Sequence, residues 1–295
     1  MKVIVFGGSG FIGSHVADCL TEAGYEVVIF DLKPSPYLLP TQEMITGNIL
    51  DREAVAKAVS GCDIVYNFAG VADIEEAHRK PLETVENNIL GTTIVLEACR
   101  QNEVKRFVFA STIYVYSEAG SFYRSSKQAC ELIIEDYSKV FGVPYTILRY
   151  ASLYGPRADE RNYIYKILKQ AITENKIISF GKSDDLRDYI HVKDAARYSV
   201  DILSKEFENQ HVIITGNRPI RRDELLNMIK EMLGNAIEVD FSPIESELHY
   251  TVTPYSFSPR AAKVYRGNYY LDLRQGLLEC INEIYQQNLI GKDKG

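Results

Sequence analysis

The chain has 295 residues, 46% hydrophobic and 25% charged, enough for one large domain or a major and a minor one. A net charge of −7 argues against nucleic acid or an anionic membrane surface as a partner, and any anionic substrate must be met by local cations. Five cysteines, at 19, 62, 99, 130 and 280, are odd in number and lack metal-ligand spacing, so they read as thiols in a reducing cytoplasm with no metal.

Lys2–Phe6 is a short apolar strand that runs straight into Gly7, Gly8, Gly10 and Gly13, and a helical pattern (His15, Val16, Cys19, Leu20) follows. Glycine permits positive φ in a tight turn, and its missing Cβ lets a pyrophosphate approach the backbone. The helix that follows turns unpaired N–H groups and its positive dipole end toward that anion. A second buried strand, Tyr25–Phe30, ends in Asp31, an acid placed to accept hydrogen bonds from an adenosine ribose. Asp31 would repel a 2′-phosphate, with only Lys33 nearby to offset it, so NAD is expected over NADP. A proline-rich loop (Pro34, Pro36, Pro40) leads to a short strand at Met44-Ile45 and to Gly47–Asp51. A helix over Arg52–Ser60 and a strand over Asp63–Phe68 come next, the strand ending in Ala69-Gly70. Pro81–Asn102 has helical period, with Glu86, Asn87 and Asn88 on its polar side, and Arg106–Ala110 is another buried strand. Ser125–Phe141 is a helix with apolar residues at Ala129, Leu132, Ile133, Tyr137 and Val140, and Tyr145–Leu148 is the sixth strand. Alternating strands and helices over 150 residues predict an α/β fold, a Rossmann-type doubly wound parallel sheet. The second half is less regular, with helices at Tyr163–Asn175, Arg222–Leu233 and Gln275–Gln287 and strands near Ile177–Phe180 and Val212–Thr215.

Chemistry concentrates after the fifth strand. Ser111 and Thr112 end it where an open sheet presents its active edge, and Tyr123-Arg-Ser-Ser-Lys127 opens the long helix. Residues four apart share a helix face, so the Lys127 charge can favour the phenolate of Tyr123. An ordinary tyrosine titrates near about 10, and bringing Tyr123 to neutrality asks roughly 4 kcal/mol of Lys127 and a nicotinamide charge together. Thr112 can share a hydrogen bond with the substrate oxygen that Tyr123 deprotonates.

These residues, with Gly47-Asn-Ile49, Asn88-Ile-Leu-Gly-Thr92, Phe107–Thr112, Arg149-Tyr-Ala-Ser-Leu-Tyr-Gly-Pro-Arg157, Arg187-Asp-Tyr-Ile-His-Val192 and Tyr255–Ala262, span nearly the whole chain. As a set they resemble the extended short-chain dehydrogenase/reductases, in the NAD-dependent epimerase/dehydratase branch that acts on nucleotide-sugars. The resemblance implies that Thr112, Tyr123 and Lys127 are catalytic and that Lys127 also holds the nicotinamide ribose. It implies NAD contacts at Gly7, Gly10, Phe11, Ile12, Gly13, Asp31, Asn48, Ile49, Phe68, Ala69, Gly70 and Tyr123, and a substrate pyrophosphate contact at Arg187. It implies, too, a two-fold homodimer through Pro81–Asn102 and Ser125–Phe141.

The departures from the family are equally specific. Its 4,6-dehydratases carry Asp-Glu directly after the catalytic Thr, where this chain has Ile113 and Tyr114, so that activity is not expected. The segment between Tyr116 and Tyr123 is short, Ser152 stands for the usual Asn, Asn48 stands for the usual Asp, and 245–254 contains no arginine. Tyr114 and Ser152 join Thr112 and Arg187 as substrate candidates. His191 reads as a structural residue beside Asp194, and Arg157 and Arg161 are open between phosphate and solvent. The expected organisation is an NAD-binding domain over 1–155, to which 187–216 returns, and a smaller mixed nucleotide-sugar lobe over 156–186 and 217–295. The N-terminal apolar run is too short for a signal peptide and no run reaches membrane-spanning length, so the protein is expected in the cytoplasm, without a membrane partner. The preferred activity is epimerisation of a nucleotide-sugar. The alternatives are a nucleotide-sugar oxidoreductase with net redox and a non-catalytic NAD sensor.

Overall fold

The computed structural model describes residues 1–234, 237–242, 249–250, 263–265 and 271–292. The Tyr255–Ala262 run lies outside them, as does 245–254 apart from His249 and Tyr250. In chain order the elements are β1 (Lys2–Phe6), α1 (Phe11–Glu22), β2 (Glu26–Asp31), β3 (Glu43–Thr46), α2 (Arg52–Val59) and β4 (Ile64–Asn67). Next come α3 (Ile74–Arg79), α4 (Pro81–Thr84), a π-helical turn (Val85–Leu90), α5 (Gly91–Gln101), β5 (Arg106–Thr112) and a 3-10 turn (Ile113–Tyr116). α6 (Ser121–Phe141), β6 (Tyr145–Tyr150), β7 (Ser152–Tyr154), α7 (Tyr163–Glu174), β8 (Lys176–Phe180), β9 (Leu186–His191) and α8 (Val192–Asp201) follow. A second 3-10 turn (Lys205–Phe207), β10 (Gln210–Ile214), β11 (Pro219–Arg221), α9 (Arg222–Leu233), β12 (Glu238–Ser242), β13 (Lys263–Tyr265) and α10 (Leu273–Lys292) complete the order.

The chain folds into two compact units. The first contains Met1–Tyr150, Ala195–Ile214 and β13, and the second contains Ala151–Asp194 with β11, α9, β12 and α10. In the first, eight strands form one sheet in the order β13-β10-β6-β5-β4-β1-β2-β3, every pair parallel. This is the Rossmann-type arrangement expected. Parallel strands covered on both faces read as unbroken apolar runs, and β1 and β4 are buried almost end to end. Their residues Ile4, Phe6 and Val65 pack with Val55 and Val59 of α2, Val95 and Cys99 of α5, and Cys130 and Ile134 of α6. Strands β2, β1, β4 and β5 are consecutive neighbours, so Asp31, Gly7, Phe68 and Thr112 line up along one sheet edge.

The second unit has its own core. Ile164, Ile167 and Leu168 of α7 meet Ile177 of β8, Leu225 and Ile229 of α9 and Leu277 of α10. β9 pairs parallel with β7 and antiparallel with β11, and β8 pairs parallel with β12. Residues 187–194 therefore belong with the second unit's short strands, and the return to the large sheet begins at Ala195. Among the described residues no helix is long and apolar enough to cross a membrane.

Candidate active site

The glycine turn is built by close packing of backbone on backbone. Gly7 sits at φ +76°, where a Cβ would lie 2.6 Å from the Ala69 nitrogen, and a Cβ on Gly13 would lie 2.2 Å from the Gly7 carbonyl oxygen. Gly7 N–H donates to Phe30 at 2.8 Å and Gly10 N–H to Gly7 at 3.1 Å, which folds the turn onto β2. Gly10 is the N-cap of α1 and brings no side chain to its first N–H groups. Phe11 and Ile12, half-buried, begin that helix. The Asp31 carboxylate accepts the Ser9 N–H at 3.0 Å, and the Ser9 hydroxyl donates to the Lys33 carbonyl at 2.9 Å. The acid thus holds the glycine loop while standing at the end of β2. An uncapped helix start beside a turn with no room for Cβ atoms fits a pyrophosphate, and the acid beside it fits a ribose diol.

The neighbouring strand end completes this half. Phe68 stacks on Tyr66 with centroids 6.0 Å apart, Ala69 N–H donates to Asn67 at 3.1 Å, and Gly70 sits at φ +142°. A Cβ on Gly70 would lie 2.4 Å from Asn88 Oδ1. Asn48 is exposed and its side chain accepts the Leu50 N–H at 2.9 Å, whereas Ile49 is buried against Gly91 and packs in the core.

The predicted trio lies on two adjoining elements of the same unit. Thr112, 5% exposed, ends β5 and accepts the Tyr114 N–H at 3.2 Å, starting the 3-10 turn. Tyr123 and Lys127 stand one turn apart on α6, with the ammonium 5.9 Å from the Tyr123 ring centroid and 4.7 Å from that of Phe109. Lys127 Nζ donates to the Ala110 carbonyl at 2.8 Å, two residues before Thr112. Burial pushes the Lys127 ammonium down to about 8. Tyr114, half-buried, meets Tyr123 edge-on at 6.3 Å and leaves no room for a Cβ on Gly120.

Several residues that build this site carry no role that the sequence alone assigns. Asn88, in the π-helical turn, takes Val71 N–H at 2.7 Å and donates to Val71 O and to Ser126 Oγ at 2.9 Å. Ser126 donates in turn to the Tyr123 carbonyl, so the loop after β4 is fastened to the Tyr123 turn of α6. Arg124 donates to the carbonyls of Ser117 and Glu118, bracing the short segment before α6. Helical period alone gives no hint of these partners, although Asn88 opens the Asn88–Thr92 motif.

In the second unit, Arg187 is 8% exposed, its guanidinium lies 3.8 Å from the Tyr250 ring centroid, and its Nη1 has no hydrogen-bond partner among the described residues. Ser152 is half-buried at the start of β7. His191 is buried edge-on to Tyr154 and 3.5 Å from Glu279. Arg161 forks onto Asp159 at the surface, and Arg157 N–H donates to Glu283 at 3.0 Å.

A model of the NAD dependent epimerase/dehydratase family matches residues 3–215. The chain belongs to this family. Like the rest of the family it is an NAD-dependent enzyme of the extended short-chain dehydrogenase/reductase type. A putative UDP-glucose 4-epimerase of Methanocaldococcus jannaschii is 28% identical, over 97% of this chain and 99% of that protein. A UDP-N-acetyl-alpha-D-glucosaminuronate decarboxylase of Bacillus cytotoxicus is 26% identical, over 83% and 84%. Among solved structures, the Thermotoga maritima UDP-glucose 4-epimerase with UDP-glucose superimposes with a TM-score of 0.85 at 25% identity, covering 98% and 100%. UDP-glucuronic acid 4-epimerase of Bacillus cereus, in complex with UDP-glucuronic acid and NAD, gives 0.82 at 25% identity, covering 97% and 100%. The two residues after Thr112 are Ile113, a hydrocarbon side chain that is 1% exposed, and Tyr114, a phenol.

Proposed function

We propose that the enzyme is an NAD-dependent epimerase of a nucleotide-sugar, acting through Thr112, Tyr123 and Lys127. The carrying observation is the trio on a buried frame with no carboxylate at 113 or 114. Elimination of water needs an acid and a base beside the sugar. Neither Ile113 nor Tyr114 supplies a carboxylate, which argues against dehydration and favours reversible oxidation of a sugar hydroxyl by the trio. NAD, which the glycine turn and Asp31 would hold, would supply the hydride acceptor for that oxidation and the donor for its reversal. Tyr123 Oη takes the hydroxyl proton and later returns it. Lys127, held at Ala110, places its positive charge on the Tyr123 side and favours the phenolate. Thr112 Oγ1 shares the hydrogen bond on the reacting oxygen. Arg187, buried with a donor to spare, is the proposed grip on the pyrophosphate of the substrate, as a fork that bonds phosphate well. Five free thiols fit the cytoplasm as its location.

UDP-sugars are the first substrates to test, since the similar solved epimerases are described with them. Incubating the enzyme with UDP-glucose, UDP-glucuronic acid and their N-acetylamino counterparts, then separating the products, decides the reading. The expected result is a sugar epimer with no net rise in the NADH band. Stoichiometric NADH with an oxidised sugar would replace the epimerase with the net oxidoreductase. No turnover of any nucleotide-sugar by a protein that still binds NAD would leave the sensor.

A further inference from the structure

On α6, Tyr123, Lys127, Glu131 and Glu135 follow at steps of four and so share one stripe. Its lower half is an ion-pair network in the first unit, buried at Glu131 and Arg149 and half-buried at Glu135 and His211. Glu131, 2% exposed, accepts from Ser111 Oγ at 2.5 Å and from Arg149 Nε at 3.0 Å on Oε1, and from Arg149 Nη2 at 2.6 Å on Oε2. Arg149, 1% exposed, also donates to the Tyr116 hydroxyl and lies 2.8 Å from His211 Nδ1, whose Nε2 is 3.0 Å from Glu135. One carboxylate therefore fastens α6 to β5 and β6 directly, and to the 3-10 turn and β10 through Arg149. The two ties to β5 fall on successive turns: Lys127 to the Ala110 carbonyl, Ser111 to Glu131. A buried ion pair is a poor device for stability alone, because well-packed apolar side chains of similar volume often do as well.

We propose that Glu131 is the positioning residue of the Tyr123–Lys127 pair, fixing the rotation of α6 over Ser111 and setting a negative charge one turn below Lys127. This rests on the reading of Tyr123 as proton acceptor. The charge is there to act: burial alone would raise the Glu131 carboxyl, but hydrogen bonds from His211 and Arg149 outweigh it and hold the group at about 2. The titratable and charged neighbours are Cys130 and Glu135 on α6, Arg149 on β6, Tyr116 in the 3-10 turn, His211 on β10, and His78 of α3, which meets Ser121 where α6 starts. Removing the carboxylate charge leaves Arg149 unopposed and makes the potential at the pair more positive. The first proton then leaves the pair at lower pH, whichever of the two groups releases it.

Ultraviolet difference titration of the NAD-saturated protein tests this without any substrate. The chain has 20 tyrosines, and subtracting the Tyr123→Phe curve isolates Tyr123. In Glu131→Gln the Tyr123 phenolate should appear about half a pH unit or more below its place in the unmutated protein. With a working substrate, kcat should fall about tenfold or more while KM and NAD affinity stay within about threefold, and Glu131→Asp should recover part of the loss. A folded Glu131→Gln with an unmoved titration overturns the proposal and makes the network structural. If that variant does not fold, Ser111→Ala decides: faster amide exchange over 121–127 supports the tie, and unchanged exchange overturns it. Absence of turnover in the unmutated enzyme would sink the functional reading and leave the titration to judge Glu131.

Discussion

The Asp31 carboxylate receives the Ser9 N–H, and the proposed reading gives it a second job, meeting the ribose diol of NAD. Asp31→Ala should therefore weaken NAD binding and erode a strong preference over NADP, which calorimetry with both cofactors measures. Equal affinity for the two in the unmutated protein would contradict this. Lys127 shows the opposite conflict, between stability and function. Buried, it holds its proton at about 8 against an ordinary 10.5, so the folded chain binds that proton more weakly than the unfolded chain. Stability is penalised below about pH 8, and the penalty fades as pH rises from 8 toward 10.5. Lys127→Met should abolish turnover yet raise stability at pH 7 by about 1–3 kcal/mol, less any cost of the lost Ala110 hydrogen bond. A lower melting temperature would show that the hydrogen bond dominates. At this scale the trio, the glycines and Asp31 were legible because each sits in a local pattern of spacing. Glu131 was not, because its partners Ser111 and Arg149 lie 20 and 18 residues away and meet it only when β5 and β6 pair.

The strands of the large sheet could be read because parallel strands bury both faces and leave unbroken apolar runs. α6 is more instructive. Its apolar period marks Leu132 and Val140, yet both are exposed, and the buried face carries Ser126, Lys127, Cys130, Glu131 and Ile134. A polar stripe can be buried only when its partners satisfy it, and those partners come from other strands. The start of α6 also differs, at Ser121 instead of Ser125, because Gly120 at φ +96° and Ser121 at φ +47° turn the chain sharply out of the short segment. Six-residue α3 is too short to show a period in the sequence, although Asp73 caps it by accepting the Glu76 N–H. The brace on the short segment belongs to Arg124, which spans from α6 to the carbonyls of Ser117 and Glu118. Arg124→Ala should free that segment and let Tyr114 move off Tyr123. Hydrogen exchange over 117–120 should quicken by about tenfold or more, for a loss of roughly 1.4 kcal/mol or more. Unchanged exchange there would mean the turn holds itself.

For the molecule as a whole, the apolar side chains left at the surface suggest a partner copy. Leu82, Val85 and Leu90 are exposed from α4 to the π-helical turn, as are Phe122, Leu132, Val140 and Phe141 on α6. Paired about a two-fold axis, these helices would form the homodimer that the sequence resemblance implies. Light scattering at micromolar concentration should give about twice the chain mass of 33.4 kDa, and Leu132→Glu should halve it. A single-chain mass for the unmutated protein would rule the dimer out. In the proposed epimerisation one hydrogen leaves a sugar carbon and comes back to it, with Tyr123 handling only the hydroxyl proton. Running the reaction in deuterium oxide and reading the product by NMR tests this most directly. The inverted carbon should keep its own hydrogen, with no deuterium there, and Tyr123→Phe should stop turnover while NAD still binds. Deuterium at the inverted carbon would mean that the carbon-bound hydrogen exchanges with solvent as a proton, and that the trio does not work by oxidation and return.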